Sequence, residues 1–206
     1  MTQQRNFDAA ALNWDEEPRR VKVAWEIAAA IQKNIPFSKE WDALDFGCGT
    51  GLVTLQLAPA LRSITGIDSS SGMLDRLGAK IQMSGISNVR TELCDLGKGE
   101  LPEGKYHLIT SAMTLHHIEK IVPLLQTLKT LLLPGGWIAL ADLETEGGRF
   151  HDDPTGVFHH GFSVAELSDM LGKAGFSSIS INTAAIIVKG DQTFPVLLAT
   201  AQSSLV

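Results

Sequence analysis

Cysteine is scarce in this chain: Cys48 and Cys94 are the only two among 206 residues. Two thiols in separate segments support neither a disulfide framework nor a cysteine-based zinc site, and they fit a reducing, cytoplasmic setting. No apolar run approaches the ~20 residues that span a bilayer. Residues 1–14 lack the basic-then-apolar layout of a secretory leader. Positive charge is in deficit, since 17 Lys and Arg against 23 Asp and Glu leave a formal charge of −6. That argues against a polyanionic partner, nucleic acid included. The one basic cluster, Arg19-Arg20 with Lys22, is too small for a nucleic-acid track and suits a solvated helix start. Repeats, low-complexity tracts and Pro/Ser linkers are also missing, so residues 1–206 are expected to form a single domain.

What is present is a regular alternation of short apolar runs and amphipathic segments. Pro18 suits the first turn of a helix over residues 18–34, where Val21, Trp25, Ala28 and Ile31 or Ile35 fall at helical spacing. Strands are expected at 43–46, 63–67, 88–93, 106–111 and 137–143. Helices are expected at 52–61, 70–83 and 118–133, the last closed by Pro134-Gly135-Gly136. Such alternation implies an α/β fold, a parallel sheet with helices on both faces. The tail differs. Ser163 with Glu166 makes a capping pattern for a helix over 164–174 that ends at Gly175. Residues 177–188 and 193–201, joined by Lys189-Gly190-Asp191-Gln192, then read as a β-hairpin whose last strand runs antiparallel.

The first strand ends in Leu44-Asp45-Phe46-Gly47-Cys48-Gly49-Thr50-Gly51. Glycines that turn a strand into a helix let a ligand touch the backbone at the strand's C-terminal end. The spacing is G-x-G-x-G rather than the G-x-G-x-x-G of dinucleotide sites. Asp68, with Ser69 beside it, closes the second strand about 20 residues on, where an acid accepts ribose hydroxyls; its alternative is to cap the next helix. Asp95 follows the third strand, placed to accept from an adenine amine while Leu96 packs on the ring, and alone it would be an ordinary loop residue. Met73 offers a soft thioether to the other ring face or is core filler.

These residues, with LDFGCGTG, GIDSSSGML, ELCDLGKGELP, SAMTLHHIEK and LLLPGGWIAL in order, resemble the class I S-adenosylmethionine-dependent methyltransferases. The similarity covers roughly residues 41–142 and is strongest to the small-molecule branch with the ubiquinone and menaquinone methyltransferases. It implies a Rossmann-like three-layer sandwich with a seven-stranded sheet of order 3-2-1-4-5-7-6, strand seven antiparallel. It also implies S-adenosylmethionine as cofactor and S-adenosylhomocysteine as product. Gly47, Gly49 and Gly51 would pass beneath the methionine and ribose portions of the cofactor, Cys48 and Thr50 between them would join the seat, and Asp45 would sit near the ammonium group. Asp68 would hold the ribose and Asp95 the adenine, with Ser111 completing the seat.

The methyl acceptor has to be aligned with the sulfonium and shielded from water. If it is a hydroxyl, a histidine base is the natural helper. His116-His117 follows the fourth strand at the ligand-binding rim, and His117 is the stronger candidate of the two. His151, His159 and His160 belong to residues 144–162, too long and aperiodic for an ordinary connection and expected to be an acceptor loop. His159 and His160 are the further catalytic candidates there, the alternative being a buried aromatic turn. Residues 1–36 would form a helical lid, with Arg19 or Arg20 paired to a carboxylate of cofactor or acceptor, or else a surface helix docked by Trp14 and Trp25. A mixed site of Asp142, Glu144 and the histidine pairs lacks any metal-ligand spacing and the transfer needs no metal, so none is expected. Asp142 and Glu144 stay as acceptor-pocket residues. The expected activity is methyl transfer to a small molecule; protein methylation and non-catalytic cofactor binding are the alternatives. A dehydrogenase would need the other glycine spacing, and a nucleic-acid base methyltransferase would need a D/N-P-P-Y/F motif where Ser111-Ala112-Met113-Thr114 stands.

Overall fold

The computed structural model describes residues 7–96 and 99–205. Seven strands, β1 (Asp42–Phe46), β2 (Ser63–Asp68), β3 (Val89–Leu93), β4 (Tyr106–Ala112), β5 (Leu132–Leu143), β6 (Ser177–Lys189) and β7 (Gln192–Gln202), form one sheet. Its order is β3-β2-β1-β4-β5-β7-β6. The first five strands pair in parallel and β7 runs antiparallel to both β5 and β6. This is the Rossmann-like arrangement that the sequence patterns and the family resemblance imply. Both faces are covered because successive strand residues alternate sides. Ala43, Leu108, Ala139 and Ala141 point into one apolar core, and Leu44, Ile109, Ile138 and Leu140 into the other.

Helices α2 (Pro18–Asn34), α3 (Thr54–Leu57) and α4 (Ser71–Ser84) lie on the first face, preceded by the short α1 (Phe7–Ala11). Helices α5 (Ile121–Leu131) and α6 (Val164–Lys173) lie on the second. Pro18 stands at the start of α2, and the Glu17 side chain accepts from Arg19 N–H. The stripe that α2 buries is Val23, Ala24, Ile27, Ala28 and Ile31, offset from the expected one. Trp25 points to solvent at 58% exposure, so it docks nothing. Each of the buried Val and Ile side chains adds roughly 1.5–3 kcal/mol, so an acid at Ile31 would detach the helix. The capping box of α6 forms as expected, with Ser163 and Glu166 exchanging bonds.

Several boundaries move for local reasons. The helix expected over 52–61 shrinks to α3 and a 3₁₀ turn (Ala58–Ala60), since Pro59 has no N–H for an α-helical bond. Residues Leu115–His117 form a 3₁₀ turn of their own, and α5 starts only at Ile121. It stops at Leu131, because Leu132 is already extended and pairs with Tyr106. Pro134-Gly135-Gly136 therefore lies inside β5 rather than in a helix-ending turn, and a register shift between Tyr106 and Leu108 absorbs the mismatch. The hairpin turn narrows to Gly190-Asp191, with Lys189 paired to Gln192 and Gly190 at φ +57°. Among the described residues no helix is long and apolar enough to cross a membrane.

Candidate active site

The C-terminal ends of β1, β2, β3 and β4 open into a cavity of about 1140 Å³. That exceeds the ~300–1,000 Å³ of ordinary ligand pockets and holds two reactants side by side. One half is built from backbone. Gly47, Gly49 and Gly51 all have positive φ, at +67°, +54° and +81°. A Cβ on Gly47 would overlap the Thr114 side chain, and one on Gly51 would overlap Leu77. Gly49 is different: its Cβ direction is open, with only Met73 Sδ near at 3.9 Å, so any side chain there would project into the cavity. The bare backbone at Gly49 is the cradle a ligand needs.

Asp68 ties that cradle to β2. Its Oδ2 accepts from Gly49 N–H and its Oδ1 from Ser70 N–H, both at 2.9 Å. Burial raises its carboxyl above the usual range, against those backbone bonds. Each oxygen retains a lone pair for a ligand hydroxyl. Capping of α4 falls instead to Ser70, whose hydroxyl accepts from Met73 N–H. Asp45 is fully buried and takes a 2.5 Å bond from Thr54 Oγ1. Desolvation pushes its carboxyl up to about 7, with Asp68 adding and Thr54 opposing. Cys48, Thr50, Ser69, Met73, Asp95 and Leu96 line the same wall. Gly51 and Ser111 do not: Gly51 packs on Leu77, and the Ser111 hydroxyl donates to Phe46 C=O beneath the sheet rim.

The N-terminal segment closes over this half. Asp8 Oδ1 accepts from Ser70 Oγ at 2.6 Å and Gly72 N–H at 2.8 Å, bonds that lower its carboxyl pKa. Asp15 accepts from Thr50 Oγ1 at 2.6 Å and pairs with Lys80, while Arg76 donates to Leu12 C=O. Arg20 lies 4.0 Å over the Trp14 ring. The sequence suggests a lid here but not these links, which join residues 35 to 64 apart.

The other half is built from side chains. Met113, at φ +57°, turns the chain from β4 into the 3₁₀ turn that carries His116 and His117. Asp142, at the end of β5, is 1% exposed and holds His116 twice: Oδ1 on ring Nδ1 at 2.7 Å and Oδ2 on the backbone N–H at 3.2 Å. Burial alone would raise the Asp142 carboxyl, but His116 and these bonds outweigh it and hold it below the usual range. Asp142 is thus a support for His116 rather than part of the cavity wall. His117 Nδ1 meets Gly156 C=O at 2.7 Å, and Phe7 packs edge-on to its ring. Burial, reinforced by the neighbouring His116, lowers His117 to about 4.

Residues 144–162 wrap this half. Phe162 N–H bonds Leu143 C=O, and Phe158 N–H bonds His116 C=O, each at 2.9 Å. Glu146, buried, accepts from Arg149 and Phe150 N–H and bends the loop. Phe150 then packs edge-on to Phe194, 5.3 Å between ring centres, and delivers His151 to the cavity. The two other histidines of the loop go elsewhere. His159 Nε2 bonds Ile118 C=O at 2.9 Å and its ring rests on Phe162. His160 is exposed and faces Glu146 at 3.6 Å. Neither lines the cavity, nor does Glu144, whose N–H bonds Pro195 C=O. Of the expected catalytic histidines only His117 reaches the cavity, joined there by His116 and His151.

A family profile described as "Methyltransferase domain" matches residues 43–136. The chain is similar to an uncharacterized methyltransferase of Schizosaccharomyces pombe, 32% identical over 67% of this chain and 54% of that one. It is also similar to a ubiquinone biosynthesis O-methyltransferase of Paraburkholderia phytofirmans, 28% identical over 48% of this chain and 43% of that one. The chain thus spans about half the length of these curated relatives. Among solved structures, phosphoethanolamine N-methyltransferase 2 of Haemonchus contortus, in complex with S-adenosyl-L-methionine, shares the fold. Its TM-score is 0.72 at 16% identity, over 87% of this chain and 53% of that one.

Proposed function

The chain belongs to the class I S-adenosylmethionine-dependent methyltransferases, and on that premise we propose that it methylates a small-molecule acceptor held beside His116, His117 and His151. The observation that carries this reading is the single two-part cavity, a backbone cradle at Gly49 continuous with a histidine-lined compartment. A roofed compartment of this kind suits a small molecule better than a protein chain, and the ubiquinone O-methyltransferase among the relatives agrees with it.

S-adenosylmethionine, when bound, supplies a methyl group on a sulfonium that departs as a neutral thioether. The chain's residues supply the rest. Asp68 accepts from the ribose hydroxyls, and Asp95 from the adenine amine. Met73 and Leu96 sandwich the ring. Asp45 faces the ammonium group. On this reading residues 1–36 act as a lid, with Asp8 and Asp15 as its latches, and residues 144–162 act as the acceptor loop. Together they exclude water and orient the acceptor, which is most of the work such a transfer demands.

A calorimetric titration with S-adenosylhomocysteine, beside NAD and NADP, tests the reading. Binding of S-adenosylhomocysteine alone, weakened on the order of a hundredfold by Asp68→Ala with no loss of fold, is expected from two hydrogen bonds to a charged acceptor. Preference for a nicotinamide nucleotide, or unchanged affinity in Asp68→Ala, would overturn it.

A further inference from the structure

We propose that His116, His117 and His151 form a binding site for one divalent transition-metal ion of the zinc class, set in the wall of the acceptor compartment. Each ring offers one nitrogen, and these three atoms lie within 4.8 Å of one another. His116 and His117 come from the 3₁₀ turn after β4. His151 arrives from across the cavity on the 144–162 loop, its ring centre 4.9 Å from that of His116 and 6.1 Å from that of His117. The convergence is that of His151 on an adjacent pair 34 residues earlier in sequence, since His116 and His117 share one turn. A shared ion gives them a reason to converge.

The surroundings are those of metal-bound histidine. A ligating ring ordinarily donates its other N–H to a carboxylate or a backbone carbonyl, which fixes the tautomer and aims the free lone pair. Here His116 Nδ1 is on the Asp142 carboxylate and His117 Nδ1 is on Gly156 C=O. A carbonyl only accepts, so His117 carries its proton on Nδ1 and leaves Nε2 as a bare donor atom. His116 Nδ1 is likewise occupied, by the Asp142 carboxylate, so Nε2 is its remaining ring nitrogen. Both rings line the cavity with Nδ1 engaged, which leaves Nε2 of each as the atom to meet an ion.

Three imidazole nitrogens and no carboxylate ligand select a borderline ion over magnesium or calcium, which take oxygen. Zinc–nitrogen bonds of about 2.0–2.1 Å need nitrogens roughly 3.4 Å apart in a tetrahedron. The rings would therefore close by about an ångström from their present spacing, a rotation that the half-buried His151 can make. Three protein ligands leave one position facing the cavity, the pattern of a site that handles a ligand rather than one that staples a fold. Its ligand would be a lone pair on the acceptor, oxygen, sulfur or nitrogen. That last use rests on the methyl-transfer reading; the ion site itself rests on the histidine geometry.

The test begins with the full chain stripped of metal by a chelator, then titrated with Zn²⁺ by calorimetry and with Co²⁺ by visible absorption. One ion per chain is expected, with tetrahedral ligand-field bands for cobalt. His151→Ala, a loop change, should weaken both by at least about a hundredfold, and His160→Ala, outside the cluster, should not. Asp142→Asn should weaken them about 10–100-fold, as loss of an outer support does. Folded chain that takes up neither ion, or takes them up equally well as His151→Ala, would overturn the site. S-adenosylhomocysteine binding, followed in the same samples, separates the two proposals. Binding of S-adenosylhomocysteine without metal defeats the ion site alone, and metal binding without S-adenosylhomocysteine defeats the methyl-transfer reading alone.

Discussion

The two halves of the cavity are made of different material. The half beside β1 and β2 depends on backbone: three left-handed glycines, N–H groups aimed at Asp68, and two carboxyls raised by burial. The half beside β4 and β5 depends on side chains, three histidines held by Asp142, Gly156 and a long loop. A backbone seat suits a ligand that never changes, because any strand-to-helix turn with the right glycines reproduces it. A side-chain compartment suits a ligand that varies between relatives, because substitutions on one loop alter it without touching the sheet.

If that contrast is right, the largest damage from a single added side chain should fall on the backbone half. Gly47→Val puts a branched side chain at φ +67°, where its Cβ already overlaps Thr114. Positive φ costs a β-branched residue on the order of 1–3 kcal/mol, and the overlap adds a similar amount. S-adenosylhomocysteine binding should drop below detection by calorimetry, with Tm lowered by several degrees. A Gly47→Val chain with near-normal affinity would mean that the glycine turn is only a connection.

The same contrast explains what could be read in advance. The glycine loop, Asp45, Asp68 and Asp95 sit at strand ends, and strand ends follow from short local patterns. The hairpin likewise came from alternation across Gly190. His151 did not: its segment reads as an acceptor loop, but nothing local singles it out over His159 and His160. It reaches His116 through a local bend at Glu146 and two contacts between residues distant in sequence, Phe150 edge-on to Phe194 and Phe158 N–H bonding His116 C=O. The Phe158-His159-His160 pattern drew attention to the wrong pair for the same reason. Trp25 misled similarly: its spacing fitted a helix face, but the sheet chose the adjoining one.

A middle-sized effect should appear as pH dependence confined to the backbone half. Burial raises Asp45 to about 7, so the native chain holds a proton there that the unfolded chain has released above about pH 4. Stability from this group is therefore fully retained below pH 4 and declines as pH rises toward 7, by a few kcal/mol in all. Asp45→Asn keeps an acceptor for Thr54, so its Tm should lie near wild type at pH 5 and exceed it at pH 8. An ammonium group beside Asp45 reverses the preference and favours the carboxylate. S-adenosylhomocysteine should accordingly bind more tightly as pH rises to 7, by at most about tenfold per unit, and then level off. Loss of that slope in Asp45→Asn assigns it to this carboxyl; an identical slope in the variant would remove Asp45 from the ligand's charge.

The smallest effect should come from the histidines that the loop turns away from the cavity. His159→Ala deletes one bond to Ile118 C=O and a contact with Phe162, together about 1–2 kcal/mol of stability. His160→Ala deletes an exposed approach to Glu146, worth under about 1 kcal/mol. Neither ring lines the cavity, so both variants should bind S-adenosylhomocysteine as wild type does and turn over any acceptor found for wild type within about twofold. His117→Ala should keep the same cofactor affinity while its turnover falls, because His117 alone of the three lines the acceptor half. The comparison is sharp because the turn that carries His117 and the loop that carries His159 and His160 are hydrogen-bonded to each other, so a general loosening would affect them alike. A tenfold loss of turnover in His159→Ala with Tm preserved would show that the loop rearranges around its acceptor, and that the side-chain half is assembled only when occupied.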